Sequence, residues 1–203
     1  RIIDVISQLK KVIPNNILIS VDTTSSEVAQ AAIDLGVEMI NDVSGGTDDE
    51  KMMPLIVQNN LYYCIMHMQG SPKTMQDNPT YENVIDEIKG FLMVQANKLT
   101  ELGLEKNKII LDPGIGFGKT TNHNLEILNN LEIFSSLGFN TLLGASRKRL
   151  FSEISKENNP EDRISGTCAT SALGVIAGIN IFRVHDVWQN KQAIDVAYNI
   201  KKA

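Results

Sequence analysis

Side chains capable of chemistry recur in this sequence at or just past the ends of short apolar runs. Asp22, Asn41 and Asp112 form the first set. A carboxylate in a mostly apolar pocket wants a paired donor, and a planar N–H/NH2 fork satisfies both of its oxygens. Arginine offers such a fork, and so does the amino-pyrimidinone edge of a pterin or a guanine. Asn41 both donates and accepts, which suits a mixed ring edge. The second set is cationic. Lys148 lies in Ser146-Arg147-Lys148-Arg149 and shares strand-like parity with Ser146 and Gly144, so it can face the same opening and donate to a ring carbonyl and a ring nitrogen. Arg183 and His185 stand two apart on another apolar run and share a face; a cation beside an imidazole suits a diphosphate or a carboxylate. Met66 and Phe117 can clamp a flat ring or serve as ordinary core.

Each set has a plainer reading. Asp22 and Asn41 can cap the helices that follow them. Arg147 and Arg149 can form a solvated cationic face. Arg183 can be a paired arginine and His185 a satisfied histidine. Asp22, Asn41 and Asp112 at matching strand ends argue against capping alone, because one face of a parallel barrel collects its reactive groups. His67 reads as structural: if Cys64 and Met66 point inward, His67 points between strand and helix. Gly118-Lys119-Thr120 imitates the end of a phosphate-cradling loop, but the glycine needed five positions before Gly118 is Pro113. No His, Cys or Asp cluster has metal-ligand spacing, so no protein metal cage is expected.

The elements that must hold these residues follow from pattern. Apolar runs Ile17–Asp22, Val37–Asp42, Leu61–His67, Ile109–Asp112, Thr141–Ala145 and Ile181–His185 read as buried strands. Between them lie helices over 27–35, 48–58, 82–102, 124–135 and 160–178, with others at 2–13 and 187–201. The connection Met68–Thr80 is long for a compact domain and is suspected of function. Strand and helix alternate without exception, which predicts a parallel sheet with helical crossovers. Polar residues at so many strand ends favour a (β/α)8 TIM barrel over an open sheet. About six strands are found where the barrel needs eight, and the chain opens on a helix. The expectation is a single barrel domain over residues 1–203 without its first strand, first helix and second strand.

Composition narrows the partners. The 203 residues are 42% hydrophobic, enough for one sizeable core. A net charge of −5, with no long basic run, argues against nucleic acid. No apolar run has membrane-spanning length. Cys64 and Cys168 lie in apolar surroundings and read as reduced core thiols, which fits a cytoplasmic location.

With these residues collected, the chain resembles the dihydropteroate synthase family along nearly its whole length. The resemblance rests on Ser20-Val21-Asp22-Thr23, Ile40-Asn41-Asp42-Val43, Met66-His67-Met68-Gln69-Gly70, the stretch Leu111–Lys119 (Leu-Asp-Pro-Gly-Ile-Gly-Phe-Gly-Lys), Ser146-Arg147-Lys148 and Arg183-Val184-His185-Asp186-Val187, in the family's order. It implies a reaction joining p-aminobenzoate to 6-hydroxymethyl-7,8-dihydropterin diphosphate, with release of diphosphate. It also implies that Asp22, Asn41, Asp112 and Lys148 hold the pterin, with Met66, Val43, Gly144 and Phe117 near it. Arg183 would lie beside the pterin and, with Ser146 and Phe117, place p-aminobenzoate. Val184 and especially His185 would take the diphosphate, and Asp22, Lys148 and Arg183 would carry the chemistry.

A homodimer and a Mg2+ ion bound with the diphosphate are implied as well. The family's Asn-Val-Thr-Pro-Asp-Ser-Phe-like segment, which supplies the metal's protein ligand, and its Ser-Thr-Arg-Pro-like loop are not in this sequence. The expectation is therefore a pterin pocket with poor turnover and no protein ligand for the metal. Two other readings stand beside it. One is a methyltransferase passing a methyl group from methyltetrahydrofolate to a corrinoid protein, which gives no reason for the 146–148 and 183–185 motifs. The other is a non-catalytic pterin-binding fragment.

Overall fold

The computed structural model describes residues 2–71 and 74–203; Arg1, and Pro72 and Lys73 of the long connection, lie outside the described residues. Six parallel strands stand in chain order, each paired with its predecessor: β1 (Ser20–Asp22), β2 (Met39–Asp42), β3 (Tyr62–Met66), β4 (Ile109–Asp112), β5 (Asn140–Leu143) and β6 (Ile181–Phe182). Helices make every return, as a parallel pairing demands. The sheet curls into a half-barrel, part of the (β/α)8 architecture expected from the sequence. Register brings the chemical side chains level: Asp22 opposes Asn41, and Met66 opposes Asp112.

Side-chain alternation sorts the strands into two layers. Tyr63 and Ile65 of β3, with Ile109 and Leu111 of β4, join the main core against the helices. Cys64, Ile110 and Leu142 point the other way and form a small inner cluster with Met39, Tyr62 and Ile181. The main core is covered chiefly by α4 (Val84–Glu101), whose Ile88, Leu92 and Leu99 are fully buried. Each contributes on the order of 2 kcal/mol by leaving water. Asn83 starts α4 by accepting from the amides of Ile85 and Asp86.

Several expected boundaries move, for physical reasons. β1 is shorter than the apolar run from Ile17: Ile17 and Leu18 are about half exposed and enter no ladder. β6 stops at Phe182, so Arg183 and His185 lie past the strand; only Arg183 N–H continues the pairing, to Leu143 O at 3.0 Å. Alternation is not strict. The predicted helix 124–135 is two helices, α5 (Thr121–Asn129) and α6 (Leu131–Ser135), separated at Asn130. A short helix absent from the sequence reading, α7 (Arg149–Ser155), precedes α8 (Ile164–Ile176). The remaining helices are α1 (Ile2–Val12), α2 (Ser26–Ile33), α3 (Met52–Gln58) and α9 (Val187–Lys202). No helix among the described residues is long and apolar enough to cross a membrane.

Candidate ligand site at the mouth of the sheet

The acidic wall is built by strand ends. Asp22 closes β1 and Asn41 stands beside it in β2, with Asn41 Nδ2 donating to Asp22 Oδ1 at 3.1 Å. Asn41 Oδ1 is buried and, among the described residues, has no hydrogen-bond partner. Neither residue caps the helix that follows it: Ser25 caps α2, accepting from Val28 N–H, and α3 starts after Lys51 without a side-chain cap. Asp112 closes β4 and is buried. Its Oδ1 accepts from Gly114 N–H at 2.7 Å. Burial raises the Asp112 pKa to about 6, against the pull of Gly114 N–H and of Lys148, Lys119 and Arg183. The turn that supplies this N–H needs glycine: at φ +72°, a Cβ on Gly114 would lie 2.0 Å from His67 O.

The cationic wall comes from the segment after β5. Arg147 takes a left-handed conformation, φ 57°, and turns away from its neighbours. It binds Asp186 through both Nε (2.9 Å) and Nη2 (2.5 Å). Arg147 is therefore a clamp between this segment and the start of α9, not part of a solvated face. Arg149 is the solvated one, 82% exposed and paired with Glu153. Lys148 sits with its Nζ 4.1 Å from the centre of the Phe117 ring, and burial lowers its pKa. Ser146 Oγ accepts from His185 N–H at 3.1 Å and lies 2.9 Å from His185 Nδ1, which fixes the imidazole. Arg183 Nη2 reaches back to Asp22 Oδ2.

These groups enclose a cavity of about 400 Å3. Asp22, Val43, Met66 and Asp112 line it from the first four strands, with Phe117 and Gly144. Ser146, Lys148, Arg183, Val184 and His185 complete it from the last two. Of the residues expected to contact a ligand, Asn41 alone is not in the lining; it hydrogen-bonds to Asp22. His67 is outside as well. Its ring meets Phe91 edge-on at 5.3 Å, and burial and the nearby Lys119 push its pKa down to about 3.

Sequence reasoning missed three features. A second cavity of about 400 Å3 shares Lys148 with the first and adds Gln76, Gly116, Asn124 and Arg149. The long connection reaches it: Gln76 Nε2 donates to Gly116 O and Tyr81 Oη to Gly118 O. Lys119, which Pro113 already ruled out as a phosphate-cradling lysine, is 2% exposed and turned onto His67, a contact without a local signal. The Arg147–Asp186 clamp spans 39 residues and left no local signal.

The site can hold a flat, polar heterocycle by its edge. The Asp22 and Asp112 carboxylates would receive ring donors, Lys148 would donate, and Arg183 and His185 would meet an anionic tail. Among the described residues no group of three His, Cys, Asp or Glu side chains could hold a metal ion.

Comparison with known proteins gives a consistent result. Residues 1–185 match the family described as pterin binding enzyme. The dihydropteroate synthase of Synechocystis is 38% identical over 197 residues, spanning 97% of this chain and 68% of the relative. The Yersinia pestis dihydropteroate synthase, solved in a sulfonamide drug complex, superposes with a TM-score of 0.93 at 30% identity, over 99% of this chain and 72% of that one. The Thermus thermophilus dihydropteroate synthase, solved with 4-aminobenzoate, gives a TM-score of 0.90 at 35% identity, over 97% and 75%.

Proposed function

The chain belongs to the family of pterin-binding enzymes, and from that membership we propose that it is a transferase of folate biosynthesis, of the dihydropteroate synthase type. It would condense 6-hydroxymethyl-7,8-dihydropterin diphosphate with p-aminobenzoate, giving 7,8-dihydropteroate and diphosphate. The observation that carries this reading is the meeting of Asp22 and Asp112 with Lys148, Arg183 and His185 around one cavity, with Asn41 bonded to Asp22 beside it.

Asp22, Asn41, Asp112 and Lys148 hold the pterin edge, and Met66, Val43, Gly144 and Phe117 bound its faces. Arg183, Val184 and His185 take the diphosphate. The C–O bond to diphosphate breaks with its electron pair leaving on the phosphate oxygen, and a cation remains at the exocyclic methylene. Arg183 and His185 stabilise the departing anion, and the Asp22 carboxylate stabilises positive charge spread over the ring. The amine of p-aminobenzoate, placed among Ser146, Arg183 and Phe117, forms the C–N bond and gives up a proton. Mg2+ would accompany the diphosphate; among the described residues no cluster of His, Cys, Asp or Glu side chains could hold it.

The side chains of Arg183 and Asp22 are about half exposed, so the 203-residue chain alone should bind pterin better than it turns over. A homodimer is proposed as well: α8 and α9 expose Leu173, Ile176, Val196 and Ile200, apolar surface that a second copy would cover. The location proposed is cytoplasmic. Calorimetric titration with the dihydropterin diphosphate, followed by p-aminobenzoate, tests the reading. Saturable heat with the first ligand is expected. No heat with it would overturn the assignment.

A further inference from the structure

Lys119 is buried, yet among the described residues its ammonium makes no ion pair. Its three N–H groups meet three neutral acceptors: Phe117 O at 2.9 Å, His67 Nδ1 at 3.1 Å and His67 O at 3.2 Å. These come from two segments only, the end of β3 and the glycine-rich turn after β4. An apolar side chain of similar length would fill this place with far less desolvation. The charge therefore needs a reason other than stability.

We propose, taking the pterin reading as premise, that Lys119 is a positioning residue for that site: its ammonium fastens the Gly114–Gly118 turn to the end of β3 and supplies positive potential that keeps Asp112 an acceptor. The two segments are in close apposition. A Cβ on Gly118 would lie 2.2 Å from Gln69 O, just as one on Gly114 would strike His67 O. The Phe117 carbonyl is fixed by Lys119, and its ring carries Lys148. His67 presents a constant acceptor, because burial and Lys119 itself keep the imidazole neutral. Its proton then sits on Nε2. Charged and titratable groups face Lys119 from each side: His67 from just past β3, Asp112 from β4 and Lys148 from the segment after β5, with Tyr81 against the imidazole at 6.0 Å between ring centres. Asp112 and Lys119 each favour the other's charged form. Burial nonetheless pulls the Lys119 pKa down to about 7.

The test is pterin diphosphate binding as a function of pH, in the wild-type chain and in K119M. Wild-type affinity should climb as Asp112 ionises near pH 6 and decline as Lys119 loses its proton near pH 7. K119M should keep its fold, bind about tenfold more weakly at pH 6.5, lose the declining limb and shift the climbing limb to higher pH. K119R, which stays charged, should retain the climb without the decline. Weaker binding with an unchanged profile would reduce Lys119 to packing and overturn the proposal, as would wild-type affinity in K119M. If K119M does not fold, the wild-type profile decides: no decline beyond pH 7 overturns it. If the wild-type chain binds no pterin at all, the premise falls. Hydrogen exchange then tests the fastening alone, with protection at 114–118 expected to drop in K119M. Unchanged protection there would reject it.

Discussion

Arg183 Nη2 pairs with Asp22 Oδ2, joining the end of β6 to the end of β1. The guanidinium thus occupies the carboxylate that a pterin edge would engage, and ligand entry must exchange one fork of donors for another. Because both side chains are about half exposed, the pair itself adds little stability. Arg183→Ala is therefore expected to leave the melting temperature near wild type. It should weaken the pterin diphosphate about tenfold or more, while the free hydroxymethylpterin binds as well as before or better. Calorimetry with the two ligands in parallel checks this; equal losses for both would place Arg183 at the ring and not at the tail.

Asn41 gives a prediction of opposite sign for stability and binding. Its Oδ1 is buried without a partner among the described residues, which costs about 1–3 kcal/mol. Asn41→Leu should hold or raise the urea midpoint, since Asp22 keeps water and Arg183 as partners. Pterin affinity should fall at least tenfold. A variant that loses stability and keeps affinity would show that the amide serves the fold.

The Asp112 carboxyl holds its proton up to about pH 6 in the folded chain, against 3.8 for the free group. Between those values the folded state binds more protons than the unfolded one, so this group's contribution falls as pH rises through the window. Above pH 6 the buried charge exerts its full cost. Asp112→Asn should then be more stable than wild type at pH 8 by on the order of 2 kcal/mol, with the difference gone by pH 3. Pterin binding should be lost at both. Denaturation curves at the two pH values decide; a pH-independent difference would reject the shifted carboxyl.

Gly114→Ala probes the close approach of the turn after β4. The new methyl group would meet His67 O at 2.0 Å in a left-handed conformation. The cost expected is on the order of 4 kcal/mol or more, read as a large drop in denaturant midpoint. Gly103→Ala has open space around its Cβ and bears only the strain of its φ of +102°, so it should cost much less. Similar costs at both positions would mean that the turn is not packed as described.

What the sequence made legible was whatever repeats on a short period. Asp22, Asn41 and Asp112 ended apolar runs, and Asp22 and Asp112 line one cavity in the fold. Ser146 and Lys148, like Arg183 and His185, line that cavity without strand parity: β5 ends at Leu143 and β6 at Phe182, Arg147 turns left-handed between the first two, and Ser146 holds His185. Contacts between distant segments were invisible. Arg147 read as a surface cation because Asp186 lies 39 residues on, and Lys119 read only as a motif decoy because His67 lies 52 residues back. The helix at 149–155 escaped notice since its charged start hid behind the cationic run.

Because the strands are laid down in chain order, each one meets a partner already made as the polypeptide leaves the ribosome. Nascent chains can thus grow by accretion, without waiting for a distant strand to return. The residues around the cavity are different: Asp22 and Arg183 are separated by 161 positions. Every partial product short of β6 has its acids and lacks its anion-binding end, so the full lining of the cavity exists only once the chain has been made through His185.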